Sequence, residues 1–188
     1  VNPGVRFLIG EGNYIHSCGQ YMWDGIVTTN ANGVSPSYVD IYTGNSKIED
    51  ALNAVQINSP SHLYAYQTVF NKNWNSLQFN GVSGSPNPDI FHTLLEGNRF
   101  TSRTASSLLN DEPIYLAPHA QMLPRSAIEI NNVEEVSNQK LVIGYSGVPG
   151  GGDPSELTNS FSNLAFGIRV NNSSVDIQNN AFFSIREQ

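Results

Sequence analysis

The sequence predicts an all-β fold: a two-sheet β-sandwich, jelly-roll-like, in a single domain covering residues 1–188. Segments rich in Val, Ile, Tyr, Phe and Thr recur with turn residues between them. Apolar and polar side chains alternate along several of these segments, and only 13% of the residues are charged. A chain of 188 residues is long enough for one domain with its own core.

The predicted strands are short and follow one another along the whole chain. In 126–130, Ile128 and Ile130 alternate with Ala127 and Glu129, so one face is expected to be buried and the other wet. Many short strands in one domain favour a sandwich or a barrel. In chain order the predicted strands are 5–9, 20–29, 37–42, 63–70, 74–79, 113–117, 126–130, 140–146, 162–170 and 181–186.

A first short helix is predicted over residues 45–55. Ser46 followed by Glu49 matches a capping box, in which the two side chains satisfy backbone N–H groups at a helix start. The apolar residues of the segment have helical spacing and would share one face. These residues are Ile48, Ala51, Leu52 and Val55.

A second short helix is predicted over residues 88–97, inserted between strands like the first. Asp89 is suited to the N-cap and Gly97 to the position after the last turn. The surrounding region, about 81–112, is predicted to be a long loop excursion from the sandwich. Loops of that length usually bind or form contacts.

Three prolines interrupt strand-forming sequence in the stretch 112–132. Because proline has no backbone N–H, Pro113, Pro118 and Pro124 must each lie at a strand start, an edge or a bend. Two changes of chain direction within so few residues indicate strands that pass from one sheet to the other. Such crossings are typical of a jelly roll or a related sandwich.

Residues 113–147, "PIYLAPHAQMLPRSAIEINNVEEVSNQKLVIGYSG", resemble a segment of bacteriophage virion proteins. In both, an apolar strand with proline is followed by "LP-R-S-x-I-x-I", a polar turn and a strand ending in "GY-x-G". The resemblance implies a β-sandwich that builds or decorates capsids. It covers about a fifth of the chain and implies no catalytic residues.

Composition and motif spacing argue against several function classes. A net charge of −7 argues against a nucleic-acid partner, because phosphate binding needs clustered Lys and Arg. Cys18 is the single cysteine, so no intramolecular disulfide is possible. The sequence contains neither a metal-binding spacing nor a phosphate-binding loop, so no metal, cofactor or catalytic residue is predicted. No apolar run is long enough for a membrane span.

The first functional hypothesis is a non-enzymatic structural protein of a virus or phage, located in the virion. It would self-assemble or dock on other virion proteins. Contacts between subunits are expected at residues 118–125, which we call the proline corner, and near the long excursion. Arginines there can pair with carboxylates of a neighbouring subunit. The predicted interface residues are Arg99, Arg103, Pro118, His119, Met122, Pro124 and Arg125.

The second hypothesis, from a different class, is a carbohydrate-binding β-sandwich, either lectin-like or receptor-binding, that is secreted or at a cell surface. Aromatic side chains would stack on sugar rings. The expected stacking residues are Trp23, Trp74, Tyr64 and Tyr66. An enzyme acting on glycans is a third hypothesis. Paired carboxylates catalyse glycoside hydrolysis, but only when the fold brings them to opposite sides of a sugar.

Overall fold

A computed structural model describes residues 1–18, 22–29, 35–42, 44–58, 60–81, 92–102, 126–133, 140–145, 154–183 and 185. The proline corner and six of the predicted interface residues (Arg103, Pro118, His119, Met122, Pro124 and Arg125) lie outside them. The described strands are β1 Arg6–Ile9, β2 Tyr14–Ile15, β3 Ile26–Val27, β4 Ser37–Ile41, β5 Lys47–Glu49, β6 Asn53–Asn58, β7 Ser61–Tyr66, β8 Val69–Asn71, β9 Asn75–Asn80, β10 His92–Glu96, β11 Arg99–Thr101, β12 Ser126–Asn131, β13 Leu141–Ile143, β14 Asn159–Ser162, β15 Phe166–Asn171, β16 Val175–Ile177 and β17 Asn180–Phe183. One short helix, α1 Pro154–Leu157, precedes β14.

Every ladder between described strands is parallel. Sheet 1 has the order β1-β4-β7-β10, sheet 2 the order β17-β14-β11-β8-β5-β2, and sheet 3 the order β15-β12-β9-β6-β3. Strands β13 and β16 form a separate parallel pair, with β13 lying next to β10. Neighbours in each sheet are every third strand of the chain, so the chain visits the sheets in turn and winds as a parallel β-solenoid. We call each passage a coil: β1–β3, β4–β6, β7–β9, β10–β12, β13–β15, and finally β16–β17.

The coil is built from corners that are reused from one coil to the next. Between sheets 2 and 3 the chain turns at Asp50, Lys72 and Asn163, each the residue directly after its sheet 2 strand and each with a positive φ. A left-handed residue redirects the backbone sharply, and Asn and Asp tolerate this conformation better than most residues. The repeated corner explains why consecutive strands enter different sheets and do not pair as hairpins.

The core fills the space enclosed by the sheets with columns of apolar side chains. In sheet 3, Val55, Leu77 and Ile128 occupy one column, aligned by the register of β6, β9 and β12. In sheet 2, the Phe70, Phe100 and Phe161 rings stack on one another at centroid distances of 5.0 and 4.8 Å. All of these side chains are fully buried. Because a parallel ladder aligns equivalent residues, each coil buries its apolar side chains against the same position of the next.

Asparagine side chains form a second kind of column, this one by hydrogen bonding. At the end of sheet 3, Asn80 donates to Asn58 at 3.1 Å, Asn131 to Asn80 at 3.2 Å and Asn171 to Asn131 at 2.8 Å. An amide carries both donor and acceptor, so a stacked row satisfies each member through its neighbours. The row therefore fixes the register of four successive coils.

The predicted all-β fold is confirmed, but the described strands do not form the predicted jelly-roll-like sandwich. A jelly roll is built from antiparallel strands in two sheets, whereas all ladders here are parallel. Two predicted strands, 63–70 and 162–170, are each divided by a corner into strands of different sheets. Alternating side chains indicated strands correctly, but alternation is the same in parallel and antiparallel pairing.

The helix predicted over 45–55 is wrong. This segment forms β5, a corner and the start of β6, and Ile48 and Val55 both point into the core. The corner between two short strands brings buried positions into the i, i+3, i+7 spacing of a helix. Ser46 does not cap a helix; its hydroxyl donates to the Gly10 carbonyl at 2.8 Å.

The second predicted helix, 88–97, is also wrong where the structure describes it, because residues 92–96 form β10. Leu95 is fully buried and Leu94 faces outward, as alternation in a strand requires. Gly97 has φ +64°, and an added Cβ would lie 2.2 Å from the Glu156 carbonyl oxygen, so glycine marks a corner here. The excursion predicted over 81–112 is interrupted by β10 and β11.

Candidate functional site

Sheet 1 presents a polar and aromatic outer face. Along β4 and β7 the residues Tyr38, Asp40, His62, Tyr64 and Tyr66 alternate with residues buried in the core. The register pairs Tyr38 with His62 and Asp40 with Tyr64. Outward residues of neighbouring strands therefore lie beside one another, at the strand spacing of about 4.8 Å.

These side chains line an open cleft, which we call the sheet 1 cleft, with a volume of about 280 Å³. Two ring pairs shape it. Tyr38 and His62 have centroids 4.6 Å apart, and Tyr42 and Tyr64 have centroids 4.9 Å apart. Both pairs are tilted, by 32° and 41°. The lining residues are Arg6, Tyr38, Asp40, Tyr42, His62, Leu63, Tyr64, Thr93 and Leu94.

The charged groups of the cleft are Arg6 and Asp40. Arg6 Nε lies 2.9 Å from Asp40 Oδ2, and the guanidinium lies over the Tyr38 ring at 5.1 Å from its centroid. The Asp40 side chain is 6% exposed while that of Arg6 is 59% exposed. The carboxylate is thus a buried anchor that holds an accessible cation in place.

Burial and nearby charges shift two ionisable groups beside the cleft. The pKa of Tyr64 is raised above its ordinary value of 10.0, mainly by burial and then by the carboxylate of Glu96, with smaller contributions from Tyr42, Tyr66 and Asp40. Burial raises the pKa of Glu96 above its ordinary value of 4.5. Tyr64 therefore stays a neutral hydroxyl donor across the physiological pH range.

A second polar cluster lies on sheet 2. The Glu49 carboxylate accepts hydrogen bonds from the Tyr14 hydroxyl and from Asn71 Nδ2 at 2.8 Å, and lies 2.6 Å from Lys47 Nζ. Lys47 also lies over the Tyr14 ring, at 4.9 Å from its centroid. Glu49 is 4% exposed, and its oxygens are used by these neighbours. The arrangement stabilises the first coils. Because the Glu49 oxygens are already used, this cluster is a weaker candidate for a ligand site than the sheet 1 cleft.

Of the predicted stacking residues, Tyr64 lines the sheet 1 cleft, and Tyr66 lies two residues further along the same strand face. The two tryptophans do not line it. Trp23 packs against the core and donates from Nε1 to the Glu49 carbonyl at 2.9 Å, and Trp74 is half-buried at the corner before β9. Arg99, a predicted interface residue, is exposed on β11 of sheet 2.

Sequence reasoning did not select Arg6, Asp40 or His62 as site residues. The available signal was the similarity of "SYVDIY" (37–42) and "SHLYAY" (61–66), in which polar or aromatic residues occupy every second position. Two such strands combine into one site only if they pair in parallel and in register. That pairing was not expected from a sandwich.

Among the residues that the structure describes, no group of His, Cys, Asp and Glu side chains is arranged to hold a metal ion. Within the same ranges, no helix has the length and apolar character needed to cross a membrane. Comparisons of the chain with protein-family models, with curated proteins and with solved structures gave no match.

Proposed function

We propose that the chain is a glycan-binding β-solenoid and that the sheet 1 cleft is its binding site. The observation that carries the proposal is the combination, in one open cleft, of three tyrosines with a fixed guanidinium–carboxylate pair. Sugar rings offer apolar C–H faces and many hydroxyl groups. Aromatic rings beside a few placed polar groups complement both.

The dimensions of the site support an extended ligand more than a compact one. The cleft is open and lies on the outside of a sheet, so a chain of sugars can continue along the solenoid beyond the residues that line the cleft. Its volume of about 280 Å³ is at the lower end of small-molecule pockets. The function requires recognition alone, and we assign no reaction to the chain.

The decisive experiment compares Tyr64→Ala with Tyr66→Ala in binding to a glycan array and then by calorimetry with a glycan that binds. The two tyrosines lie on one face of β7, but only Tyr64 lines the cleft. Tyr64→Ala is expected to weaken binding by about tenfold or more, since a central aromatic contact contributes on the order of 1.4 kcal/mol or more. Tyr66→Ala is expected to bind as the wild type does.

Equal losses from the two variants would show that the cleft is not the site. A wild-type protein that binds no glycan on a broad array would reject the proposal itself. Circular dichroism and thermal melts of both variants separate lost binding from lost folding.

Assembly with other chains, as in a virion, is a second candidate function, supported by a separate observation. Apolar side chains are exposed on the last two coils: Phe166, Val170, Ile177, Phe182 and Phe183. Phe182 and Phe183 form an exposed apolar patch on β17, the edge strand of sheet 2, and exposed apolar patches are characteristic of interaction surfaces. A glycan-binding virion protein would combine both functions, whereas glycan binding without assembly fits a secreted or cell-surface location.

Light scattering on the purified chain tests this second candidate. Phe183, which is 58% exposed, is the residue to change. If the patch mediates assembly, Phe183→Asp should reduce the oligomer to a monomer, whereas Asn172→Asp, which adds the same charge at another exposed position, should not. A wild-type monomer at all concentrations and salt conditions would contradict self-assembly.

A further inference from the structure

We infer that the sheet 1 cleft selects acidic glycans, and that Arg6 recognises a carboxylate of the sugar. This inference rests on the proposed function and narrows it to one substrate class: oligosaccharides that carry uronic or sialic acid residues. It follows from how Arg6 is held and from which of its donors remain available.

Arg6 is oriented by two contacts that use only part of its guanidinium. Its Nε faces Asp40 Oδ2 at 2.9 Å, and the guanidinium lies over the ring of Tyr38. Neither Nη1 nor Nη2 is recorded in a hydrogen bond to the part of the chain that the structure describes. A guanidinium offers its donors in a rigid fork that matches the two oxygens of a carboxylate. The Arg6 side chain is 59% exposed, so the two Nη groups can exchange water for the carboxylate of a ligand.

The burial of Asp40 beside the exposed Arg6 favours a ligand with negative charge. Both residues line the cleft, but the side chain of Asp40 is 6% exposed and that of Arg6 is 59% exposed, so an incoming ligand contacts the cation more readily than the carboxylate. Holding an arginine in place before binding also lowers the entropy lost when the ligand binds. Asp40 is thus a positioning residue, and Arg6 makes the contact.

Other residues on the outer face of sheet 1 orient the bound acidic glycan. Arg6, Tyr38 and His62 occupy one column of outward positions. Glu96 lies on the same face at the other end of β10, in register with Tyr66. An acidic sugar is attracted to the Arg6 column and repelled at Glu96, which fixes the orientation of the bound glycan.

The test uses matched pairs of uronic-acid oligosaccharides and their methyl esters, which have the same backbone without the charge. Wild-type protein is expected to bind the acid form about tenfold more tightly than the ester, as one charge-assisted bidentate pair would give. Arg6→Gln should bring the ratio of acid to ester affinity close to one. Arg6→Lys should restore only part of it, because an ammonium lacks the fork.

Arg99→Gln is the matched control, since it removes the same charge from sheet 2 and should leave the acid-to-ester ratio unchanged. The indirect role of Asp40 is tested by Asp40→Asn, which should reduce the ratio, because Arg6 loses its ion-pair partner. Wild-type binding of acid and ester with equal affinity would overturn the inference and leave the proposed function standing. Failure to bind any member of an array containing acidic and neutral glycans would overturn both.

Discussion

Stacked rings occur in two regions of this protein, one inside the solenoid and one outside it. Inside sheet 2, the stacked rings of Phe70, Phe100 and Phe161 are nearly parallel, with interplanar angles of 8° and 11°. On the outer face of sheet 1, the pairs Tyr38–His62 and Tyr42–Tyr64 are tilted by 32° and 41°. The spacing between rings is similar in both regions, because the strand spacing of the parallel ladder sets it.

The two regions have the same ring spacing but differ in how strongly burial constrains the orientation of the rings. Inside, neighbouring coils and the opposite sheets press the rings into one orientation, and each ring contributes apolar burial to stability. Outside, the rings are enclosed on one side only and keep hydroxyl or imidazole groups toward solvent. The same ladder therefore supplies a core in one region and a candidate binding surface in the other.

The largest expected effect is on the inner stack. Phe100 is fully buried between two other rings, so Phe100→Ala should lower the free energy of unfolding by about 3–5 kcal/mol. Phe182→Ala, at the last position of the stack and 47% exposed, is the control and should cost much less. Urea denaturation measures both. Equal costs would mean that position in the stack does not matter.

A second, fully buried asparagine row, in which Asn98 Nδ2 donates to Asn159 Oδ1 at 3.1 Å, should follow the same rule with a somewhat smaller effect. Asn98 is fully buried, donates to the Ala65 carbonyl at 2.8 Å and accepts from the Thr68 amide at 3.0 Å. Asn98→Ala leaves both groups without this partner and should cost about 2–3 kcal/mol. Asn172→Asp removes the exposed amide donor, keeps a residue type that tolerates the φ of 45° at this position, and should change the free energy of unfolding by less than about 0.5 kcal/mol. A large cost at Asn172 would contradict the distinction between inside and outside.

For the outer rings, we expect stability and binding to respond separately. Tyr42 is 38% exposed, so Tyr42→Ala should lower the free energy of unfolding by no more than about 1 kcal/mol. Its affinity for glycan should fall by about tenfold if the cleft is the binding site. Denaturation and calorimetry on the same preparation would show the two effects. A destabilisation as large as that of Phe100→Ala would mean that the outer rings are structural.

The smallest expected effect concerns a buried carboxylate, and it depends on pH. Burial raises the pKa of Asp50 above 3.8, although Lys72, His16 and Lys47 oppose the shift. The protonated form is therefore favoured in the folded state, and the associated stability is present below pH 3.8 and lost as the pH rises through the folded pKa. Asp50→Asn should unfold at higher urea than wild type at pH 7, and the difference should disappear toward pH 3.5. A midpoint difference that is constant with pH would exclude ionisation as the cause.

The sequence predicted the strands better than their arrangement. Four predicted strands, 5–9, 37–42, 74–79 and 126–130, match an observed strand to within one residue at each end, because alternation of side chains in a segment such as 126–130 depends on local burial. The pairing partners of that segment, β9 and β15, are set by contacts with distant parts of the chain. Tyr64 was selected from the sequence and lines the sheet 1 cleft, whereas Arg6 and Asp40 join it only through the register of three strands.

No internal repeat was recognised in the sequence, although the structure repeats with every coil. Its signature is an apolar residue, any residue, an apolar residue and Asn, as in "VQIN" (55–58), "LQFN" (77–80), "IEIN" (128–131) and "IRVN" (168–171). The asparagines of successive signatures hydrogen-bond to one another, yet they are 22, 51 and 40 residues apart. A search for a fixed period fails on such spacing.

The unequal sequence spacing of these asparagines bears on how the sequence of such a solenoid can change in evolution. The hydrogen bond between Asn80 and Asn131 spans 51 residues, and the bond between Asn58 and Asn80 spans 22, but the two bonds have nearly the same length. Segments inserted between strands have left the ladder intact, and lengthening a loop costs little closure entropy. New sequence can therefore be acquired between strands without rebuilding the scaffold. The stretches between β9 and β10 and between β11 and β12, and not the tight corners at Asp50, Lys72 and Asn163, are the natural sites for grafting peptides onto this protein.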